Sequence, residues 1–340
     1  MGSMKNEIIR VGIIGTGIHG SRYASHIVKD LPDRFALAGI SRRSGQGAAQ
    51  AEAWGTRWHR DWRELVADDR IDAVISATTP NLNREIGSLC AKLGKPLLLE
   101  KPMATEYGEA REIARCFKER GVSLTIGQTQ RYNSIVCGLR DRLAGMGRLF
   151  GFSACHRLEP SKLGWLEDPE VAGGGVIFHT AVHLFDALRF ITGCEFARIR
   201  ASSARIHNPR LEDWLVAEVF MDDAVSGVVD ASKVSPARIC RYEFVCENGV
   251  LQGDHVHGML SEIRESSIKP VEVEPPGPTL PPLLRDWHSH LSGRAENPIP
   301  GTEGLAAVKI CHACREAART GRWVELAALD DRSSKDAESN

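Results

Sequence analysis

Short apolar runs and amphipathic stretches alternate along the first third of the chain. Ile8 to Ile14 is apolar apart from Arg10 and Gly12 and stops at Gly15, which predicts a strand. A helix is predicted from about His19 to Lys29, and a second strand from Phe35 to Ile40. Further strands are predicted at Asp72 to Ile75, Pro96 to Leu99 and Val122 to Ile126, with helical stretches from Leu82 to Leu93 and from Glu106 to Arg120. Strands alternating with helices at this spacing imply right-handed crossovers and a parallel sheet, hence an α/β fold. No internal repeat is visible, and the polar segment after Asp331 is expected to fray.

At 340 residues the chain is too long for one ordinary core and suits two domains. Hydrophobic residues at 42% and charged residues at 26% exclude a disordered chain. Forty-three basic against 44 acidic residues leave a formal charge of −1, with no electrostatic footprint for nucleic acid. No apolar run approaches the roughly 18 residues of a membrane span, so neither nucleic acid nor membrane is expected as a partner. Nine cysteines, an odd number scattered singly, favour reduced thiols in a cytoplasmic protein over a disulfide framework. The first strand begins so early that no signal peptide is expected, and Met1-Gly2-Ser3 ahead of Met4 looks like a cloning remnant.

The first strand–helix turn reads Gly15-Thr16-Gly17-Ile18-His19-Gly20, a G-x-G-x-x-G in the context that a dinucleotide fingerprint needs. Gly15 allows the tight turn, Gly17 lets a pyrophosphate approach the backbone, and Gly20 lets helix and strand pack closely. The helix N-terminus then stabilises the anion. NAD sites usually carry Asp or Glu at the end of the second strand. This chain carries Ser41-Arg42-Arg43-Ser44, whose guanidinium and hydroxyl groups suit a 2′-phosphate. NADP(H) is therefore expected in preference to NAD(H), against the alternative of a solvated basic turn.

Glu100-Lys101-Pro102 follows the strand at Pro96 to Leu99, and Gly173-Gly174-Gly175 opens a run through His179 and His183 to Asp186. Thr78-Thr79-Pro80, Gly94-Lys95-Pro96, Gln130-Arg131-Tyr132-Asn133 and Gly301-Thr302-Glu303-Gly304 stand between and after them. In order and spacing these motifs resemble the glucose–fructose oxidoreductase and inositol dehydrogenase family (Gfo/Idh/MocA). The resemblance implies an N-terminal Rossmann domain over residues 5–126. It also implies an α/β domain with a large, mostly antiparallel open sheet over 127–330, before a flexible tail at 331–340. Runs from Arg198 to Ile206, Trp214 to Met221, Ala224 to Val229 and Ile239 to Cys246 fit such a sheet, and Glu247-Asn248-Gly249 reads as a turn. Pairing through its open face, as a homodimer or homotetramer, is implied too.

The family chemistry is hydride transfer between a nicotinamide and a hydroxyl or keto carbon of a sugar, nucleotide-sugar or cyclitol. By resemblance Lys101 and His183 are expected to be catalytic, together with His179 beside them. An ammonium near the reacting oxygen stabilises alkoxide charge, and an imidazole exchanges protons near neutrality. Thr78, Thr79, Pro80, Asn83, Glu100 and Lys101 join residues 15–20 and Ser41, Arg42 and Arg43 as expected cofactor contacts. Lys101, Arg131, Trp165, His179 and His183 are the expected substrate contacts.

The chain departs from the family at His179, where an Asp is usual, and at Asn83, where a His is frequent. His179, His183 and Asp186 share one face of an ideal helix and are expected to point into one cleft. Without a fixed negative charge at 179, His183 is expected to have a lower pKa and the substrate to differ from a simple polyol. His179-x-x-x-His183 also has the spacing to share a zinc ion, with Asp186 or His156 as a third ligand, but no metal is expected. Cys311-His312-Ala313-Cys314 reads as buried small thiols. His255 and His257 share a predicted strand face and, like His288 and His290, read as surface or interface residues, while Trp54, Trp58 and Trp62 read as core. Two other functions stay open. One is an enzyme using its bound cofactor for transient oxidation and elimination. The other is a cofactor-sensing regulator without catalysis.

Overall fold

The computed structural model describes residues 8–330, so the leader and the tail at 331–340 lie outside the described residues. Within that span the chain forms two compact units. One comprises 8–104, 109–129 and 279–305; the other comprises 105–108, 130–278 and 306–330.

The first unit contains a six-stranded sheet of β1 (Ile9–Ile14), β2 (Phe35–Ser41), β3 (Arg57–His59), β4 (Ala73–Ser76), β5 (Leu97–Leu99) and β6 (Leu124–Ile126). Its order is β3-β2-β1-β4-β5-β6, every pair parallel. Strands β4, β5 and β6 are buried at every position, because helices covering both faces leave no polar side to a parallel sheet. Helices α1 (Ile18–Lys29), α4 (Asn83–Lys92) and α5 (Tyr107–Arg120) match the predicted ones, and α2 (Gln46–Ala53) and α3 (Trp62–Ala67) fall between the strands in addition. The strand order reverses between β1 and β4, and the loops leaving their carboxyl ends flank the crevice where such sheets take ligands.

Two expectations fail here. His288 is fully buried rather than superficial. It lies on the helix Leu280–Leu291, meets the Phe35 ring edge-on at 5.2 Å, and sits beside Trp287, which stacks on the same ring at 5.8 Å. Of the three tryptophans read as core, Trp62 is buried, whereas Trp58 is exposed on the edge strand β3 and donates its indole N–H to the Arg42 carbonyl (3.0 Å).

The second unit is built on a nine-stranded sheet. Its strands are β7 (Leu149–Arg157), β8 (Phe196–Ala204), β9 (Trp214–Met221), β10 (Ser226–Ser232), β11 (Ile239–Cys246), β12 (Gly249–Asp254), β13 (Met259–Arg264), β14 (Ser267–Pro270) and β15 (Val324–Glu325). The order is β14-β13-β12-β11-β7-β10-β9-β8-β15, antiparallel except for β7 with β10. Burial alternates along β9 and β11, with Leu215, Ala217, Val219 and Met221 inside and Cys240, Tyr242, Phe244 and Cys246 beside them. Helices α6 (Ser134–Leu143) and α8 (Val182–Thr192) pack on this face; the short α7 (Pro169–Ala172) precedes the triple glycine. Cys311 and Cys314 are buried thiols, as read.

Strand β10 starts two residues later than predicted, because Asp223 and Ala224 adopt positive φ in a turn. His255 and His257 lie in the turn after β12 rather than on a strand face. The segment Pro169–Thr192 is, against expectation, long and apolar enough to span a membrane. It is 72% buried inside this unit, which is the burial of a core helix.

Candidate active site

Three glycines shape the turn after β1, each for a different reason. Gly15 has φ +85°, and a Cβ there would lie 2.7 Å from the Ala77 carbonyl oxygen. At Gly20 a Cβ would sit 1.9 Å from the Gly15 carbonyl, so α1 packs against the turn only without a side chain. Around Gly17 a Cβ would meet nothing within 4 Å. That glycine begins α1, no side chain caps it, and the first helical turn carries no acidic residue. Open space, backbone N–H groups without helical partners and the positive helix end fit a pyrophosphate. Ile18 is exposed and Thr16 fully buried, its hydroxyl donating to Gln50 (2.7 Å).

Arg42 closes the turn from the side. Its guanidinium donates to the Thr16 carbonyl (2.7 Å) and Gln50 Oε1 (3.1 Å), and it also holds Ser44 and Gln46. Ser41 is buried at the end of β2, its carbonyl accepting from the Gly15 N–H (2.9 Å), whereas Arg43 is exposed. Thr78 and Thr79 are half-buried in the loop after β4, with the Thr78 methyl 2.8 Å from where a Gly15 Cβ would be. Pro80 is buried and starts a short helical turn.

Glu100 is buried and accepts from Tyr23 Oη (2.7 Å), His19 Nε2 (2.8 Å) and the Lys101 N–H (3.2 Å). Burial works to raise its pKa, but the hydrogen bonds and the Lys101 charge prevail and hold it below the usual carboxylate range. His19 thus ties the glycine turn to the Glu100-Lys101-Pro102 segment. Lys101 is half-buried, and its bond to Pro102 is cis. Asn83 is buried and donates to the carbonyls of Pro102 (3.0 Å) and Met103 (3.3 Å).

In the second unit His179 lies in a π-helical turn, Ile177–Ala181, directly ahead of α8. The triple glycine before it is sterically required: a Cβ on Gly173 would sit 2.2 Å from Thr105 Oγ1, and one on Gly175 1.9 Å from the Glu212 carbonyl. His179 Nε2 lies 3.0 Å from the Ala172 carbonyl, and its ring meets Trp165 edge-on at 5.4 Å. His183, half-buried, has its ring 6.1 Å from that of His156. Asp186 follows on α8. It is buried and takes a bidentate ion pair from Arg131 (2.7 and 3.0 Å), whose guanidinium also lies over Phe190. The buried carboxylate needs that cation, and the pair fixes the start of α8.

Sequence reading missed Glu212. It lines a cavity of about 160 Å³ with His179, His207, Asn208 and Lys233, and accepts from the N–H groups of Gly175 (2.9 Å) and Ile177 (3.3 Å). Burial pushes its carboxyl above the usual range. It lies in the loop before β9, 37 residues from Gly175 in sequence, a long-range contact that the chain pattern does not carry.

A parallel sheet with an open glycine turn, in a chain whose second unit bears histidines at a helix start, fits a two-domain NAD(P)-dependent dehydrogenase or reductase acting on CH–OH groups. The "Oxidoreductase family, NAD-binding Rossmann fold" profile matches residues 9–128, and the "GFO/IDH/MocA C-terminal domain" profile matches residues 145–252. The chain belongs to the GFO/IDH/MocA oxidoreductase family. It is 31% identical to 1,5-anhydro-D-fructose reductase of Ensifer adhaerens, over 77% of this chain and 82% of that one. It is 24% identical to scyllo-inositol 2-dehydrogenase (NAD(+)) of Bacillus subtilis (strain 168), over 67% and 68%. In fold it is similar to levoglucosan dehydrogenase in complex with NADH, with a TM-score of 0.86 at 19% identity, over 94% and 99% of the two chains.

Proposed function

We propose that the protein is an NADP(H)-preferring oxidoreductase that moves hydride between the nicotinamide and a hydroxyl or keto carbon of a sugar, nucleotide-sugar or cyclitol. The observation that carries the reading is the turn after β1, open at Gly17 and flanked by Arg42 rather than a carboxylate. The bound nucleotide supplies or accepts the hydride. Residues 15–20 hold the pyrophosphate, and Ser41 with Arg42 and Arg43 takes the 2′-phosphate. Lys101 stabilises charge on the reacting oxygen, and His183 exchanges its proton. His179 and Trp165 bind substrate, with Arg131 supporting them through Asp186. The relatives' names place 1,5-anhydro-D-fructose and inositols first among compounds to test.

Outward-facing Trp214, Val216, Val228 and Val245 support a homodimer or homotetramer formed through the sheet, and nine unjoined cysteines support a cytoplasmic location. The function is tested by following NADPH oxidation with 1,5-anhydro-D-fructose and other keto-sugars, and NADP+ reduction with inositols. Turnover that falls in Lys101→Ala and His183→Ala supports it. Retained nucleotide without turnover of added cofactor supports transient oxidation instead. No binding of either nucleotide by folded protein points to a non-catalytic protein.

A further inference from the structure

Three soft or borderline donors converge on the inner face of the nine-stranded sheet. His156 on β7 and Cys240 on β11 are direct cross-strand partners. His255 follows β12, and its backbone N–H donates to the Cys240 carbonyl (3.0 Å). One donor atom from each, two imidazole nitrogens and Cys240 Sγ, lie within 4.8 Å of one another. His156 is 6% exposed and Cys240 fully buried.

The segment presenting His255 is held by its neighbours. Asp254, 2% exposed, accepts from the N–H groups of Val256 (3.0 Å) and His257 (3.1 Å) and from Arg241 Nε (2.9 Å). That network fixes the turn and its register against Cys240. Nδ1 of His255 is nevertheless buried without a hydrogen-bond partner, a costly arrangement for a polar atom.

We propose that His156, Cys240 and His255 form a three-ligand site for zinc(II), with the fourth position left to water or a substrate oxygen. Tetrahedral zinc with two nitrogen donors at about 2.0–2.1 Å and one sulfur at about 2.3 Å places these ligand atoms roughly 3.3–3.6 Å apart. The observed spacing therefore closes with side-chain rotation on the order of 1 Å. Binding replaces the Cys240 S–H bond by a Zn–S bond and releases one proton to solvent. Two imidazoles with one thiolate and an open position match a catalytic rather than a closed structural set. His183 is a near neighbour of the site, its ring 6.1 Å from that of His156. This site is distinct from the His179/His183 pair that the sequence offered, since His179 faces Ala172 and Trp165. It stands whether or not the hydride-transfer reading holds.

The test is a cobalt(II) titration of the full-length protein, stripped by chelator and kept reduced and oxygen-free. The expected result is one equivalent bound, a thiolate-to-cobalt charge-transfer band and the intense visible bands of four-coordinate cobalt, all displaced by zinc. Cys240→Ser abolishes the charge-transfer band. His156→Ala and His255→Ala weaken binding by more than about tenfold, the loss that even an outer-shell partner causes. Cys155→Ser, the next residue along β7, leaves the spectrum intact. Circular dichroism and melting temperature check that each variant is folded. Absence of binding by folded protein, or a charge-transfer band that survives Cys240→Ser, overturns the proposal.

Discussion

The two regions on which the proposed function rests are built by opposite means. The nucleotide cradle is local: six consecutive residues, 15–20, set the turn, and steric limits at Gly15 and Gly20 leave open space at Gly17 alone of the three. The histidine face is non-local: His183 meets His156 from another element, and Arg131 and Asp186 pair across 55 residues. A local device is fragile to single backbone atoms. A non-local one depends on register and on the buried ion pair that anchors its helix.

Substitutions separate the two. The largest effect is expected for His183→Ala, a fall in turnover of roughly 10²–10⁴-fold with nucleotide affinity unchanged, seen by steady-state kinetics beside a fluorescence titration. Next comes Arg131→Ala, which leaves the Asp186 charge buried and alone and should cost about 3–5 kcal/mol in chemical denaturation. Arg131→Lys rescues only part of this, because the bidentate fork is lost. A smaller change is expected for Gly17→Ala. It should fold normally yet lose about tenfold or more in nucleotide affinity, about 1.4 kcal/mol. Gly20→Ala, 1.9 Å from a carbonyl, should instead disturb the fold.

The smallest effect is a pH-dependent one. Glu100 has its pKa held below the ordinary value near 4.3. Its carboxylate therefore contributes stability that is full above that range and lost as pH falls through the folded-state value. Glu100→Gln should be less stable than the parent by about 1 kcal/mol near neutrality, the difference vanishing in strong acid. A difference that persists there would place the effect in packing rather than charge.

Much of the first unit is legible in the sequence, because its strands are continuous apolar runs and its turn is a local motif. The edge strand β3, three residues long and half exposed, gives almost no such signal. The second unit is less legible. Nothing in the order of residues shows that Cys240 stands opposite His156, that Asp186 turns to Arg131, or that Glu212 reaches the triple glycine. Ideal helical spacing put His179, His183 and Asp186 on one face, but it could not show that Asp186 pairs with Arg131 or that His179 meets Ala172 and Trp165. His288 looked polar enough for the surface, yet Phe35 and Trp287 bury it.

The most direct test is a parallel titration with NADPH and NADH, following nicotinamide fluorescence and melting temperature in the parent and in Arg42→Ala. The account predicts NADPH binding at least about tenfold tighter, with the preference lost in Arg42→Ala. Equal affinity for the two nucleotides in the parent protein would contradict it.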